Sequence, residues 1–206
     1  MKSIKLIINT KTKKYPIFIG SDLLTQFSNI LKKNSIKFSK CLLIIDKNIK
    51  KNKISQLLRS LKNKKVYIYK FNASEKNKSQ KSVNKILDIL INKNFNRDDC
   101  LISLGGGITG DVGGYASSIF KRGLKFINVP TTLLSQVDSS IGGKTGINTQ
   151  HGKNLIGSFY QPILVISDTT FLKTLPVREI VCGYAEILKH SLIKNEKFFK
   201  FLDNQV

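Results

Sequence analysis

An α/β domain with a mainly parallel sheet, passing into the beginning of an all-helical domain, is the fold class that these 206 residues predict. Three observations carry it. Short continuous apolar runs alternate with longer stretches whose apolar residues recur every three or four positions, as buried parallel strands and their covering helices do. A glycine cluster, "SLGGGITGD", sits where one such run turns into a helix. From about Thr174 the strand-like runs stop and only helical periodicity remains. The expected division is therefore 1–174 for the α/β domain and 175–206 for the start of the helical one.

"SIKLIIN" and "YPIFIG" read as two strands joined by the polar turn "TKTKK". In "SDLLTQFSNILKK", Ser21 and Asp22 are cap candidates, and Leu23, Leu24, Phe27, Ile30 and Leu31 fall at helical spacing. "CLLIID" is a continuous apolar run closed by an acid, as buried parallel strands look. A lysine-rich helix follows with Ile54, Leu57, Leu58 and Leu61 on one face, and then the strand "KVYIYKF". "SQKSVNKILDILINKNF" presents Val83, Ile86, Leu87, Leu90 and Ile91 as an apolar stripe. "CLISL" is another buried strand, and beyond the glycines "DVGGYASSIFKRG" continues as a helix with small residues on one side. "KFINV" and "ILVIS" supply further strands. "PVREIVCGYAEILKHSLI" and "NEKFFKFLDNQV" are helical, and Pro176 suits a first turn. The chain stops inside this helical section, an ending that reads as premature.

The formal net charge is +22, and its placement decides what it means. Residues 1–100 carry 24 Lys+Arg against 6 Asp+Glu, whereas residues 101–206 carry 11 against 7. Only four of the 35 basic residues are arginine, and the lysines sit among many Asn and Ile. Solvated faces of a compositionally drifted chain explain this better than a nucleic-acid surface. A general pull on anionic ligands remains. No apolar run approaches the roughly 20 residues of a membrane span, and the N-terminal run is too short for a signal peptide. Cys41, Cys100 and Cys182 are far apart and form no CxxC pair. Reduced thiols in a cytoplasmic protein are the simple expectation.

Gly105, Gly107 and Gly110 satisfy G-x-G-x-x-G after a strand, where a bare backbone can approach phosphate oxygens at a helix N-terminus. The acid that an ordinary Rossmann turn wants about 20 residues on is absent, so the turn reads as a variant. Asp46, with Asn48 beside it, is the better candidate for a ribose; its alternative is a cap for the next helix. "RGLKFINVPTTLLSQVDSSIGGKTGINTQHGKNLIG" packs Arg122, Thr131, Thr132, Asp138, Lys144, Lys153 and Asn154 into little space without an amphipathic period. Glycine pairs flanking lysines suggest backbone laid around an anion.

Taken together, "GGGITGDVGG", "FINVPTTLLSQVDSSIGGKTGIN", "GKNLIGSFYQP", "LKTLP" and "GYAEILKH" resemble, in order, the signatures of the 3-dehydroquinate synthase family. The resemblance spans essentially the whole chain and is strongest from Gly105 to Leu192. It implies an N-terminal Rossmann-like nucleotide-binding domain, a helical metal domain after it, and an active site between them. Gly106, Gly107, Gly110 and Asp111 match the NAD pyrophosphate turn. "SEKNK" resembles a G-E-x-x-K nucleotide segment, placing Glu75 and Lys78 at NAD, with Ser74 where glycine is usual. Thr131, Thr132, Lys144, Lys153 and the run Phe171, Leu172, Lys173 and Thr174 match further NAD contacts. Arg122, Asp138, Lys144, Asn154 and Lys189 match positions that hold the substrate, and Glu186 matches the metal ligand from this part of the fold.

The chemistry so implied is a lyase reaction of the shikimate pathway to chorismate and the aromatic amino acids. The substrate, 3-deoxy-D-arabino-heptulosonate 7-phosphate, is transiently oxidised by NAD. Phosphate then leaves by β-elimination, the hydride returns, and an aldol step closes the ring of 3-dehydroquinate. Zn²⁺ or Co²⁺ acts as Lewis acid. The implied partners are this small phosphorylated sugar acid and a second copy in a homodimer, without nucleic acid or membrane. Two metal-binding histidines of the family lie further along its helical domain. This chain has only His151 and His190, with His190 where tyrosine is usual and Ser191 where glycine is. The 206 residues alone are therefore expected not to turn over.

Plainer readings stand beside these. Lys153 and Lys173 can be surface lysines, Thr131 and Thr132 a helix cap after Pro130, and Glu186 and Lys189 an exposed pair at i, i+3. Glu186 and His190 at i, i+4 share a helix face, but two ligands make a poor metal site. Another sugar phosphate cyclase, a metal-dependent alcohol dehydrogenase relative, or a catalytically dead NAD-binding remnant are the competing functions.

Overall fold

In the computed structural model, which describes residues 3–10 and 13–204, seven strands form one sheet. These are β1 (Ile4–Asn9), β2 (Lys14–Gly20), β3 (Lys40–Asp46), β4 (Lys65–Phe71), β5 (Cys100–Gly105), β6 (Lys125–Pro130) and β9 (Leu164–Asp168). Their order across the sheet is β1-β2-β9-β6-β5-β3-β4. Only the β1–β2 pair is antiparallel; the other five pairings are parallel. Of the turn expected between β1 and β2, Lys11 and Thr12 lie outside the described residues, as do Gln205 and Val206 of the expected last helical stretch.

Strand side chains alternate between faces, so a parallel strand covered on both sides needs apolar residues at every position. β3 shows this directly. Leu43 and Ile45 pack with Leu23, Leu24, Phe27, Ile102 and Ile166 on one face. Leu42 and Ile44 pack with Val83, Ile86, Leu90, Leu101 and Val112 on the other. The helices α1 (Phe27–Lys33) and α2 (Lys51–Ser60) cover the first face; α3 (Gln80–Asn92) and α4 (Gly107–Ile119) cover the second. Cys41 and Cys100 face each other in register on β3 and β5, and burial pushes the Cys41 thiol up to about 12. Cys100 is also pushed up by burial, so both thiols stay neutral in the core.

The structure departs from the sequence reading in four places. The turn Leu23–Gln26 before α1 is 3-10 rather than α, and neither Ser21 nor Asp22 caps it with a side chain. Instead Asp168, fully buried at the end of β9, accepts from Asp22 N at 3.1 Å, Leu24 N at 3.2 Å and Thr170 N at 3.0 Å. The helix expected to run through "IFKRG" stops at Ile119, because Lys121 and Arg122 take left-handed φ of 48° and 61°. The polar stretch after Gly143 contains an antiparallel hairpin, β7 (Lys144–Thr149) and β8 (Gly152–Phe159). Before it, Ser135–Ser139 form a π-helical turn.

Helices α5 (Val177–Lys194) and α6 (Glu196–Asp203) close the described chain. α5 rests on the segment before the π turn through Gly183, where a Cβ would stand 2.6 Å from both Leu133 Cβ and Leu134 N. Its other side leaves Val177, Val181, Leu192 and Ile193 exposed.

Candidate functional site

The parallel strands β3, β5, β6 and β9 end on the same edge of the sheet, where open α/β folds place their ligands. A cavity of about 680 Å³ lies there. Its far end is formed by Asp46 and Asn48 after β3. Asp46 does not cap α2, whose first turn begins at Lys50 without a side-chain cap. Asp46 Oδ1 instead accepts from Asn48 N at 3.0 Å, and burial holds its carboxyl above the ordinary range against that hydrogen bond.

In the middle of the cavity β5 runs into α4 through Gly105, Gly106 and Gly107. Gly106 is the N-cap and supplies no side-chain acceptor, leaving the first N–H groups of α4 for an anion. A Cβ on Gly106 would lie 3.1 Å from Thr132 Cγ2, and one on Gly107 would lie 2.9 Å from Ser139 Oγ. Bare backbone therefore shapes the cradle. Gly110 does not line this cavity; it lets α4 sit on Asn128 of β6, whose Nδ2 a Cβ would meet at 3.1 Å. Thr131, Thr132, Phe171 and Thr174 complete the wall. Thr132 Oγ1 also accepts from Ser135 N at 3.2 Å, so it caps the following turn while facing the cavity.

A second cavity, about 690 Å³, opens under the hairpin and is lined by Lys144, Asn154 and Phe159. It shares Asp111, Asp138 and Ser139 with the first. Lys78, nearly buried, places Nζ 2.5 Å from Asp111 Oδ2 and 2.5 Å from Asn154 Oδ1. Burial raises the Asp111 carboxyl, and this ammonium opposes the rise. Glu75 stands at the rim. Asn148 Nδ2 donates to its Oε2 at 2.8 Å and Lys153 Nζ lies 3.6 Å from the same oxygen.

The Asn148 hydrogen bond, then the Lys153 and Lys78 charges, hold Glu75 below its ordinary value of 4.5. A carboxylate depressed in the folded state adds stability above the ordinary pKa and loses it as pH falls through the folded value. Asn148→Ala is expected to raise the midpoint of the Glu75 carboxyl in a ¹³C NMR titration. An unmoved midpoint would refute the assignment.

Three donors converge where α5 meets the π turn. Asp138 from that turn and Glu186 and His190 from α5 bring ligand atoms within 4.8 Å of one another. Ligand atoms around a tetrahedral zinc stand about 3.5 Å apart, so modest side-chain rotation closes this set. Oxygen and imidazole donors suit zinc or cobalt. Asp138, which the sequence places only with substrate, stands as a third candidate donor beside the Glu186–His190 pair. Lys189 pairs with Glu186, and that carboxylate raises the lysine ammonium.

The remaining expected residues lie elsewhere. Arg122 is exposed in the left-handed kink beyond α4, at the opposite end of that helix from Gly107 and outside both linings. Leu172 and Lys173 sit on the 3-10 turn Thr169–Thr174 but outside the cavity walls, and His151 is exposed at the hairpin tip. Lys53 was not visible as a site residue in the sequence. It lines the first cavity with its ammonium 5.4 Å from the Phe171 ring centroid and bonded to Thr170 Oγ1. Only the fold brings residues 53 and 170 together.

Comparison with known proteins identifies the family. The N-terminal family of 3-dehydroquinate synthases matches residues 68–182. A 3-dehydroquinate synthase of Pelagibacter ubique is 66% identical over 98% of this chain and 55% of its own length. One from Bartonella quintana is 44% identical over 92% and 52%. The chain thus spans about half the length of these relatives. Among solved structures, a 2-deoxy-scyllo-inosose synthase with carbaglucose-6-phosphate, NAD⁺ and Co²⁺ aligns at TM-score 0.86 and 28% identity, covering 92% of this chain and 52% of that one. The family's match over more than half of its length makes this chain a member of the 3-dehydroquinate synthase family.

Proposed function

We propose that this chain is the cofactor-holding half of a 3-dehydroquinate synthase. NAD lies in the first cavity, the phosphorylated sugar acid in the second, and a divalent cation at Asp138, Glu186 and His190. Residues 1–174 act as the nucleotide domain and 175–206 as the beginning of the helical domain. The observation that carries this reading is the wall common to the two cavities. Asp111, Asp138 and Ser139 line both, so a dinucleotide and a small anionic substrate would meet there.

Bound NAD supplies a hydride acceptor and donor, and the cation supplies a Lewis acid. The protein's own residues do the rest. The first turn of α4 and Gly106–Gly107 take the pyrophosphate, since free N–H groups and the helix dipole both favour an anion. Asp46 is placed for ribose hydroxyls. Lys144 and the Asn154 amide face the second cavity, where they neutralise and orient a departing phosphate. Lys189 stands beside the donor Glu186 and is placed for substrate hydroxyls. Arg122 is assigned to substrate only in an assembly that carries it to a site. Within the described residues no helix is long and apolar enough to cross a membrane.

Calorimetry tests the reading. The chain is expected to bind NAD with one site, and Gly106→Val is expected to weaken it at least about tenfold by filling the cradle, a 1.4 kcal/mol loss. Equal NAD affinity in the two proteins would refute the placement.

A further inference from the structure

Lys78 lines the first cavity and not the second, yet both of its side-chain partners line the second. We infer that Lys78 is a positioning residue that prepares the second cavity for an anion, by neutralising Asp111 and by fixing which end of the Asn154 amide faces the ligand. The inference rests on the functional reading above, in which that cavity takes the phosphorylated sugar acid.

The geometry leaves the lysine little else to do. Its side chain is 9% exposed, and its ammonium is committed to Asp111 and Asn154 at 2.5 Å each. A charge this enclosed stays in place only when paired. The Asn154 contact has a direction. Because Oδ1 accepts from the ammonium, Nδ2 with its two N–H donors is the end left for a ligand. An asparagine amide without such a partner turns over freely and presents its oxygen, which repels phosphate, as readily as its donors. Asp111 needs the same lysine for a different reason. An unpaired carboxylate on the wall common to both cavities would repel the pyrophosphate on one side and the sugar phosphate on the other.

The chain around this contact is built to hold it. Asn148 N donates to Lys78 O at 2.8 Å, and Asn154 N donates to Asn148 Oδ1 at 3.1 Å. The segment after β4 is thereby tied to both strands of the hairpin. Asn154 itself takes φ 58°, a left-handed conformation that asparagine tolerates better than most residues. The hairpin thus turns its backbone at the residue whose amide meets Lys78.

A double-mutant cycle on the full chain tests this, with metal removed by chelator so that no turnover occurs. Affinities for NAD alone, and for the sugar-acid phosphate at saturating NAD, are measured by calorimetry. Asn154→Gly removes the amide and keeps the left-handed backbone. Lys78→Met and Asn154→Gly are each expected to weaken the sugar-acid phosphate about tenfold, the scale of a charged hydrogen bond. Together they are expected to cost clearly less than the product of the two single losses, because the Asn154 part of both losses is the same contact and only the Asp111 part belongs to the lysine alone. Lys78→Arg, which can reach both partners, is expected to stay within about threefold of wild type. Melting curves establish that each variant is folded, and Lys78→Gln replaces the methionine variant if that one is not.

Losses that multiply fully in the double variant would overturn the inference, as would a Lys78→Met protein that holds the sugar-acid phosphate as tightly as wild type. In either case a wild type that binds both ligands leaves the functional reading standing. A wild type that binds neither removes both.

Discussion

Gly113→Val is expected to lower the thermal midpoint by roughly 6–12 °C, for a cost of about 3 kcal/mol in a chain of this size. A Cβ at Gly113 would stand 2.1 Å from Ser103 Oγ, 3.2 Å from Leu101 Cδ2 and 3.5 Å from Ile44 Cδ1. All three belong to β3 and β5, in the middle of the sheet, and none is the free end of a flexible chain. Ser103 Oγ also donates to Thr109 O at 3.2 Å, so it cannot move without loosening the first turn of α4. The helix has to rise from the sheet. Because the cradle at Gly106 and Gly107 is the beginning of that helix, NAD affinity should fall with stability. Gly142→Ala is the informative contrast. It has nothing within 4 Å of its would-be Cβ but takes φ +93°, so it pays only left-handed strain, roughly 1–2 kcal/mol, and should leave NAD binding alone. Circular dichroism melts measure both. A Gly113→Val protein melting within 2 °C of wild type, a shift of under about 1 kcal/mol, would refute the close contact of α4 with the sheet.

The same region shows what a sequence can and cannot display. "CLLIID" and "CLISL" are legible as central strands because a strand covered on both faces must be apolar throughout. α3 is legible because Val83, Ile86 and Leu90 recur at helical spacing, and all three are buried. The glycine turn is legible because few other demands put so many glycines between a strand and a helix. The hairpin β7–β8 is not. "KTGINT" and "GKNLIGSF" carry no clean alternation, since Gly146 and Gly157 serve a close backbone approach: a Cβ on Gly157 would meet Thr145 O at 2.1 Å. The true cap of the first turn is equally hidden. Asp168 lies 146 residues from Asp22, and no local pattern announces a side chain that serves a distant helix start.

The nearness of Asp138 to Glu186 and His190 is hidden for the same reason, and it gives rise to the second large effect. With Co²⁺ as probe, followed by its visible absorption, Glu186→Gln is expected to weaken binding by at least about 100-fold, since even outer-shell changes cost about 10–100-fold. His190→Ala and Asp138→Asn should each cost at least about tenfold on the same scale. A two-residue site made of Glu186 and His190 alone would be indifferent to Asp138. Lys189 works the other way: its ammonium pairs with Glu186 and must leave before a cation enters. Lys189→Met should therefore tighten Co²⁺. The most telling variant carries no donor at all. Gly183→Leu puts a side chain where Leu133 Cβ and Leu134 N stand 2.6 Å from the would-be Cβ, and so must push α5 off the chain leading into the π turn. Glu186 and His190 travel with α5 while Asp138 stays behind. If the set is assembled by that packing, Gly183→Leu loses Co²⁺ about as severely as Glu186→Gln while the sheet domain melts at its usual temperature. Undiminished cobalt affinity in that variant would mean that Asp138 is no part of the site.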